Sequence, residues 1–411
     1  MISSVHFPAR VSIAGALLFL ATSCAAIGID DAQTTLPQAV EGVREQAQIS
    51  ENRGLENSPE AADGIIRAIP MPSKALDYSK PLNRIVFASC AQQNNDQSLW
   101  DRLASEQADL TLYIGDNVYG DVRSNDPALP ELKTAYMRLA QSEPFARLRA
   151  SAPMLTVWDD HDYGLNDAGV NYPYKEDSQK LFNYVWDVPA NSPRRSRPGI
   201  YESWIIGEEG RRVQIIMLDT RYFRSDLMAT DERGAKGKER YVPDSDPSKT
   251  MLGSAQWAWL ASELEKPADL RILVSSIQVI AEGHGWEAWR TLPNERARLY
   301  QTIEASGAEH LIMLSGDRHS AAFYERDDVI DYPLFEVTSS SINLPASVWR
   351  AESNETHIEP GPYRRGAMIY EANYGLLDID WEAQSLNVSV KGEDGSAYLE
   401  RKIDFSALVS P

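Results

Sequence analysis

The chain has 411 residues and carries 40 Lys and Arg against 60 Asp and Glu, a formal charge of −20 with a pI near 4.8. That length suffices for one large α/β domain or two smaller ones, and the acidity argues against a nucleic-acid-binding surface, which needs clustered Lys and Arg. Any phosphate bound here therefore needs cations as partners. Only two cysteines occur, Cys24 near the N-terminus and Cys90 in the body, so no intramolecular disulfide is expected once a leader is removed or anchored.

Arg10 precedes an apolar run over residues 11–21, too short to span a bilayer and of the length of a signal-peptide core. Residues 1–24 are therefore expected to direct export, to the periplasm, the outer membrane or the medium. Leu20, Ala21, Thr22, Ser23 and Cys24 loosely match a bacterial lipobox, although Ala21 stands where a larger aliphatic residue is usual. Two readings stand: lipidation at Cys24 and a membrane anchor, or cleavage near Ala25 or Ala26 and release. No twin-arginine pair marks export in the folded state. Residues 25–81 are polar, rich in Glu and Gln and punctuated by Pro59, Pro70, Pro72 and Pro81, as suits a tether or a surface wrap. The folded domain is expected over residues 82–406.

Within it, apolar runs predict strands at 84–88, 110–114, 154–158, 213–218, 272–276 and 311–315. Helical spacing lies between them. Leu99 and Leu103 share a face behind an Asp96 cap, Trp257, Leu260 and Leu264 share another behind Ser254, and a third helix opens at Pro293 with Leu299 and Ile303 inward. Toward the C-terminus NYGLLDIDW, SLNVSVKG and LERKIDF read as antiparallel strands, with an EDG turn between the last two. Residues 191–198 and 224–250 are long enough to be lids or solvated insertions. The expected class is mixed α/β with two kinds of sheet.

Several strand-like runs empty into potential metal ligands, and ligands of α/β sheets gather beyond the carboxyl ends of strands. LTLYI leads to Asp116 and Tyr119, and MLTVW to Asp159, Asp160, His161 and Asp162, with Asn166 and Asp167 close behind. LIMLS leads to Asp317, Arg318 and His319. Three carboxylates around one imidazole repel one another unless metal or basic partners neutralise them. Cys90 closes RIVFASC at another strand end; an inert buried thiol is the plainer reading taken alone, and ligation the better one in this company. Thiolate, phenolate and carboxylate suit a trivalent or borderline metal, and surplus Asp and Asn oxygens suit a hard divalent ion. Arg221 could clamp a phosphate or pair with a nearby acid. His284, between Gly283 and Gly285, could face substrate or cap a turn, and Trp286 and Trp289 could line a leaving-group pocket or pack in the core.

Taken in order and spacing, FASC, IGDNVYGD, VWDDHDYGLND, LDTRYFRSD, LGSAQWAWL and LSGDRH make the chain resemble the alkaline phosphatase D (PhoD-like) branch of the metallophosphoesterases over residues 84–405. The resemblance implies a four-layer α/β/β/α sandwich with metals at the strand ends on one edge of two sheets. It also implies hydrolysis of a phosphate ester by a metal-activated water, with no side-chain nucleophile, and Fe³⁺ and Ca²⁺ as the metals of at least some members. Carried onto this sequence, Cys90, Asp116 and Tyr119 match iron-side ligands, Asp160 and Asn166 are further ligands, and Asp317 and His319 match the GD-x-H pair. His161 is then the residue facing substrate, with Arg221 and Arg318 as candidate phosphate contacts. The usual first Asp-x-His block is replaced around Cys90, and there is no room for the large N-terminal domain of long members, which points to a shorter branch. The competing expectation is a calcium-stabilised surface or binding module without catalysis. Against it stand the thiol beside a GDRH pair and the lack of D-x-D-x-D-G loops. A G-x-S-x-G elbow and Walker-type loops are also missing.

Overall fold

A computed structural model of the chain describes residues 67–411. The leader over 1–24, Cys24 and most of the 25–81 segment lie outside the described residues. From Arg67 onward the chain wraps the domain: Met71 N–H donates to Val185 O at 2.7 Å, Lys74 N–H to Arg149 O at 2.9 Å, and Met71 is buried. No described helix is long and apolar enough to cross a membrane.

The N-terminal half supplies β1 (Arg84–Ala88), α1 (Leu99–Ser105), β2 (Leu110–Ile114), α2 (Pro130–Ala140), α3 (Glu143–Ser151), β3 (Met154–Val157), α4 (Asp160–Tyr163) and α5 (Lys175–Val185). The next stretch runs β4 (Glu202–Ile206), β5 (Val213–Met217), α6 (Gly253–Leu264), β6 (Leu270–Val274), α7 (Pro293–Ser306) and β7 (Leu311–Ser315). The last comprises β8 (Ala321–Arg326), β9 (Leu334–Thr338), α8 (Ala346–Ser353), β10 (Arg364–Ile369), β11 (Tyr374–Asp380), β12 (Ser385–Lys391) and β13 (Ala397–Asp404). They form a six-stranded sheet in the order β13-β12-β11-β1-β2-β3 and a seven-stranded sheet in the order β10-β8-β9-β7-β6-β5-β4.

The six-stranded sheet is parallel in one half, where β1, β2 and β3 run together out to its edge, and the seven-stranded sheet is parallel at its centre, where β5, β6, β7 and β9 run together. The strands β2, β5, β6, β7 and β9 are buried along their whole length, as parallel strands covered on both faces must be. The antiparallel strands expected at the C-terminus are present as β11, β12 and β13, appended to β1. One hydrophobic cluster contains residues of both sheets and of the helices outside them, the α/β/β/α arrangement that the family resemblance implies. On one outer face Trp100 of α1 and Phe145 of α3 pack on each other and on Tyr113 of β2, with ring centroids 5.1–6.0 Å apart. On the other, Gln214 of β5 reaches Glu263 O of α6 at 2.8 Å.

Several local expectations change. Asp96 does not cap α1 directly; it accepts from Ser98 N–H at 2.9 Å, and Ser98 is the N-cap. Ser254 lies inside the first turn of α6, where Gly253 N–H donates to Thr250 Oγ1 at 2.9 Å. Residues 191–198 are mostly exposed, with Ser192 and Arg194 turned inward. Arg194 is buried, its guanidinium 3.0 Å from Glu202 and bonded to Thr156 O at 2.8 Å.

Candidate metal centre and active site

Parallel strands from both sheets end at one place, which is why residues far apart in sequence meet. The loops there approach closely enough to demand glycine at two positions. A Cβ on Gly115 would lie 2.9 Å from Asp159 Cβ, and one on Gly316 would lie 2.5 Å from Ser89 Oγ. Cross-ties hold the loops together: Cys90 N–H donates to Gly115 O at 3.2 Å, Gly316 N–H to Ser276 O at 2.9 Å, and Ile342 N–H to Ser89 O at 3.1 Å. Cys90, Asp116, Asp317 and His319 all have left-handed backbones, with φ of 57°, 46°, 67° and 52°. Non-glycine residues seldom adopt that conformation, and its concentration here is typical of a functional site.

Cys90, Asp116 and His319 bring ligand atoms within 4.8 Å of one another. Tyr119 joins them, its hydroxyl 3.3 Å from both Asp116 Oδ2 and His319 Nε2. His319 Nδ1 bonds Leu344 O at 2.6 Å, which fixes the tautomer and turns Nε2 toward this group. The Cys90 sulfur accepts from Ser340 Oγ at 3.0 Å and lies 3.4 Å from Asp116 Oδ2. A second, all-carboxylate grouping holds Asp116, Asp159, Asp160 and Asp317 within the same 4.8 Å span, and a third joins Asp116, Asp160 and His161. Asp116 thus stands at the junction. Asp160 Oδ2 accepts from Asp167 N–H at 2.6 Å, and the Asp167 carboxylate comes within reach of Asp160 and Glu287. Asn166 sits half-buried in that turn, one residue before Asp167.

The electrostatics fit a cation. Burial, then the charges of Asp160 and Asp159, raise Asp116 well above the usual carboxylate range. Burial and the Asp160 charge push Asp317 up to about 7. Burial, then the Asp116 charge, raise the Cys90 thiol. Burial also pushes Asp160 up, but the charges of His161 and Arg221 outweigh it and hold that carboxyl low. Asp116 Oδ1 and Asp159 Oδ2 are buried without a hydrogen-bond partner. Crowded acids with unsatisfied oxygens beside a thiol, a phenol and an imidazole form a donor set that metal ions would complete. Stripping the purified protein of metal is accordingly expected to lower its Tm. A ligand at a thousandfold its Kd stabilises by about 4 kcal/mol, and an unchanged calorimetric melt after chelation would count against this assignment.

His161 is nearly buried, its Nδ1 2.9 Å from Asp121 Oδ1 and its ring stacked 4.4 Å from Tyr119. Arg221 does not reach open space. Its guanidinium is fully buried, with Nε 2.6 Å from Asp159 Oδ1 and Nη1 2.5 Å from Glu287 Oε2, while Arg224 Nε lies 2.8 Å from Glu287 Oε1. The acid-pairing alternative for Arg221 is the one this geometry matches, and a direct phosphate clamp is not. Removing one partner of a buried pair costs about 3–5 kcal/mol, so Arg221→Met is expected to lower stability by that order in chemical denaturation; a neutral result would show the pair to be dispensable. Arg318 differs: Nη2 lies 3.1 Å from Glu359 Oε2, and the guanidinium stands 5.8 Å from the Trp286 ring at the wall of a cavity of about 310 Å³. His284 takes the turn-capping role, with Nδ1 accepting from Trp286 N–H at 3.2 Å, and Trp289 is core. A shallower depression of about 570 Å³ at Arg84, Asp109 and Asp378 opens at the start of β1, the end opposite Cys90, and its walls are internally paired.

Sequence reasoning missed Glu287, Asp121 and Ser340 as members of this neighbourhood. Glu287 stood inside the EGHGWEAW stretch but was masked by its tryptophans and histidine. The second Asp of GDNVYGD was the available signal for Asp121.

Two packed sheets, each with a run of parallel strands whose carboxyl ends gather a thiol, a phenol, imidazoles and carboxylates, place the chain among the metal-dependent phosphoester hydrolases. The chain belongs to the PhoD-like phosphatase family, whose sequence model matches residues 85–389. A solved structure described as PhoD is similar at 16% identity, with a TM-score of 0.60 over 82% of this chain and 73% of its own. A purple acid phosphatase, PPD1, from yellow lupin (Lupinus luteus) seeds is similar at 13% identity, with a TM-score of 0.49 over 81% of this chain and 55% of its own. A dimetal phosphatase from Danio rerio gives 10% identity, a TM-score of 0.48, and coverage of 79% and 100%. A search among curated proteins found no match.

Proposed function

We propose that the chain acts outside the cytoplasm as a phosphoesterase whose metals are Fe³⁺ on Cys90, Asp116, Tyr119 and His319 and Ca²⁺ on the oxygen-rich side, through Asp116, Asp160, Asn166 and Asp317. The observation that carries this reading is the difference in donor chemistry across Asp116. The thiol of Cys90 and the phenol of Tyr119 gather with His319 on one side, and Asp159, Asp160 and Asp317 crowd the other, with His161 close to Asp160. Export rests on the leader-like residues 1–24, and a lipid anchor on Cys24.

Bound cations would lower the pKa of a coordinated water toward neutrality and offset charge on the non-bridging phosphate oxygens. The side chains supply the rest. Asp121, bonded to His161 Nδ1, stabilises the imidazolium and orients it, so that Nε2–H is the proton given to the leaving alkoxide. Arg221 acts as a positioning residue, fixing Asp159 beside the carboxylate group. Arg318 places positive charge between the carboxylates and the adjoining cavity.

Metal analysis of the purified protein, paired with hydrolysis of matched aryl phosphate mono- and diesters, tests the reading. Iron and calcium in near-equal amount together with turnover support it. Zinc alone would overturn the metal assignment, and bound metals without hydrolysis of either ester would overturn the catalytic one.

A further inference from the structure

The cavity of about 310 Å³ beside the metal centre is built unlike the rest of the molecule. It shares walls with the centre: Arg318 stands between Asp317 and His319, and the Trp349 ring lies 4.7 Å from that of His319. Its size is at the lower end for a small-molecule pocket, enough for one or two fused rings. Trp286, Trp349, Tyr370 and Met368 supply flat, apolar surface. The charge reverses here: five Lys or Arg line the cavity against three Glu, in a chain where acids outnumber bases 60 to 40. Arg240 and Arg318 stand 5.2 and 5.8 Å from the Trp286 ring, and Arg350 stands 3.8 Å from that of Tyr370. Guanidinium groups layered on rings make a surface that takes a flat group and a negative charge together.

We propose that this cavity is the leaving-group subsite of the phosphoesterase, and that it selects substrates whose leaving group is a ring bearing its own anionic charge. The inference rests on the hydrolytic reading of the neighbouring centre and adds the substrate class. Residues 224–250 take part, since Arg233 and Lys236 line the cavity from that loop, while the Arg240 guanidinium beside Trp286 pairs with Asp167.

The test compares methyl 3-carboxyphenyl phosphate with methyl 3-carbamoylphenyl phosphate, two diesters of near-equal shape that differ in one charge on the leaving ring. A hydrogen bond to a charged group is worth about tenfold or more in binding, so kcat/KM is expected to favour the carboxylate by about that factor. The preference should collapse toward unity in Arg350→Gln, and Trp286→Leu should weaken both substrates. A ratio near one in the unaltered enzyme, or a ratio indifferent to Arg350→Gln, overturns the proposal.

Binding of the products 3-hydroxybenzoate and 3-hydroxybenzamide, followed by tryptophan fluorescence, reads the cavity without turnover. Selective quenching by the acid, lost in Trp286→Leu, supports the subsite even if neither diester is hydrolysed, in which case the catalytic reading alone fails. Equal or absent quenching overturns the subsite. Adenosine 5′-phosphate against adenosine in the same assay tells a nucleotide arm from a simple aromatic acid.

Discussion

Asp116→Asn is expected to abolish both metal retention and hydrolysis. Asp116 belongs to three of the four groupings of potential ligands, reaching Cys90 and His319 on one side and Asp159, Asp160, Asp317 and His161 on the other. An amide is nearly isosteric but carries no charge, and it can offer only one oxygen where a bridging carboxylate offers two. The fold should survive, because the substitution relieves a crowd of acids that already raises the Asp116 pKa through burial and the Asp160 charge. Elemental analysis should find the metal content of the variant reduced to a small fraction. Activity should fall by about 10³ or more, the scale of removing a principal source of electrostatic stabilisation. Full metal occupancy in a folded Asp116→Asn protein would contradict its assignment as a shared ligand.

His161→Ala separates chemistry from metal binding. The imidazole stands within reach of Asp116 and Asp160, but it gives its Nδ1 to Asp121 and its face to Tyr119, and the proposed role leaves it out of the ligand set. Truncation should therefore leave metal content near that of the parent and lower kcat by about 10² to 10⁴, the range for loss of a positioned general acid. Asp121→Asn should give a smaller loss of kcat, since the carboxylate that orients the ring through Nδ1 is gone. Substrates with a very acidic leaving phenol should be less affected in both variants, because they need no proton. A His161→Ala enzyme as active as its parent on an alkyl ester would remove the residue from the mechanism. Loss of metal in that variant would make it a ligand instead.

The sheets were largely legible before the structure. The runs at 84–88, 110–114 and 311–315 are strands with those bounds, because continuous apolar stretches bounded by Ser, Gly and Asp suit strands covered on both faces. β4, β8, β9 and β10 were not read. β4 and β10 are only partly buried and mixed in polarity, and Glu336 inside β9 breaks an otherwise apolar run. That glutamate is tolerated because Val279 and Ile280 N–H groups donate to it at 2.9 and 2.6 Å from a segment more than fifty residues away. No local pattern can announce such a partner. Arg221 is a similar case: LDTR looks suited to bind phosphate, and only the distant Asp159 and Glu287 decide where its fork points.

The chain's own pattern determined a mixed α/β domain and placed Asp116, Asp160, Asp317 and their neighbours just beyond strand ends, because apolar periodicity and the breaks after it are local properties. Assembly into one centre, the place of Asp116 at its junction, the burial of Arg221 and the basic aromatic cavity beside His319 were decided by the tertiary structure. These depend on which strands lie side by side and how closely glycine lets their loops approach, and contacts across two hundred residues, such as Tyr119 with His319, exist only once both sheets have packed.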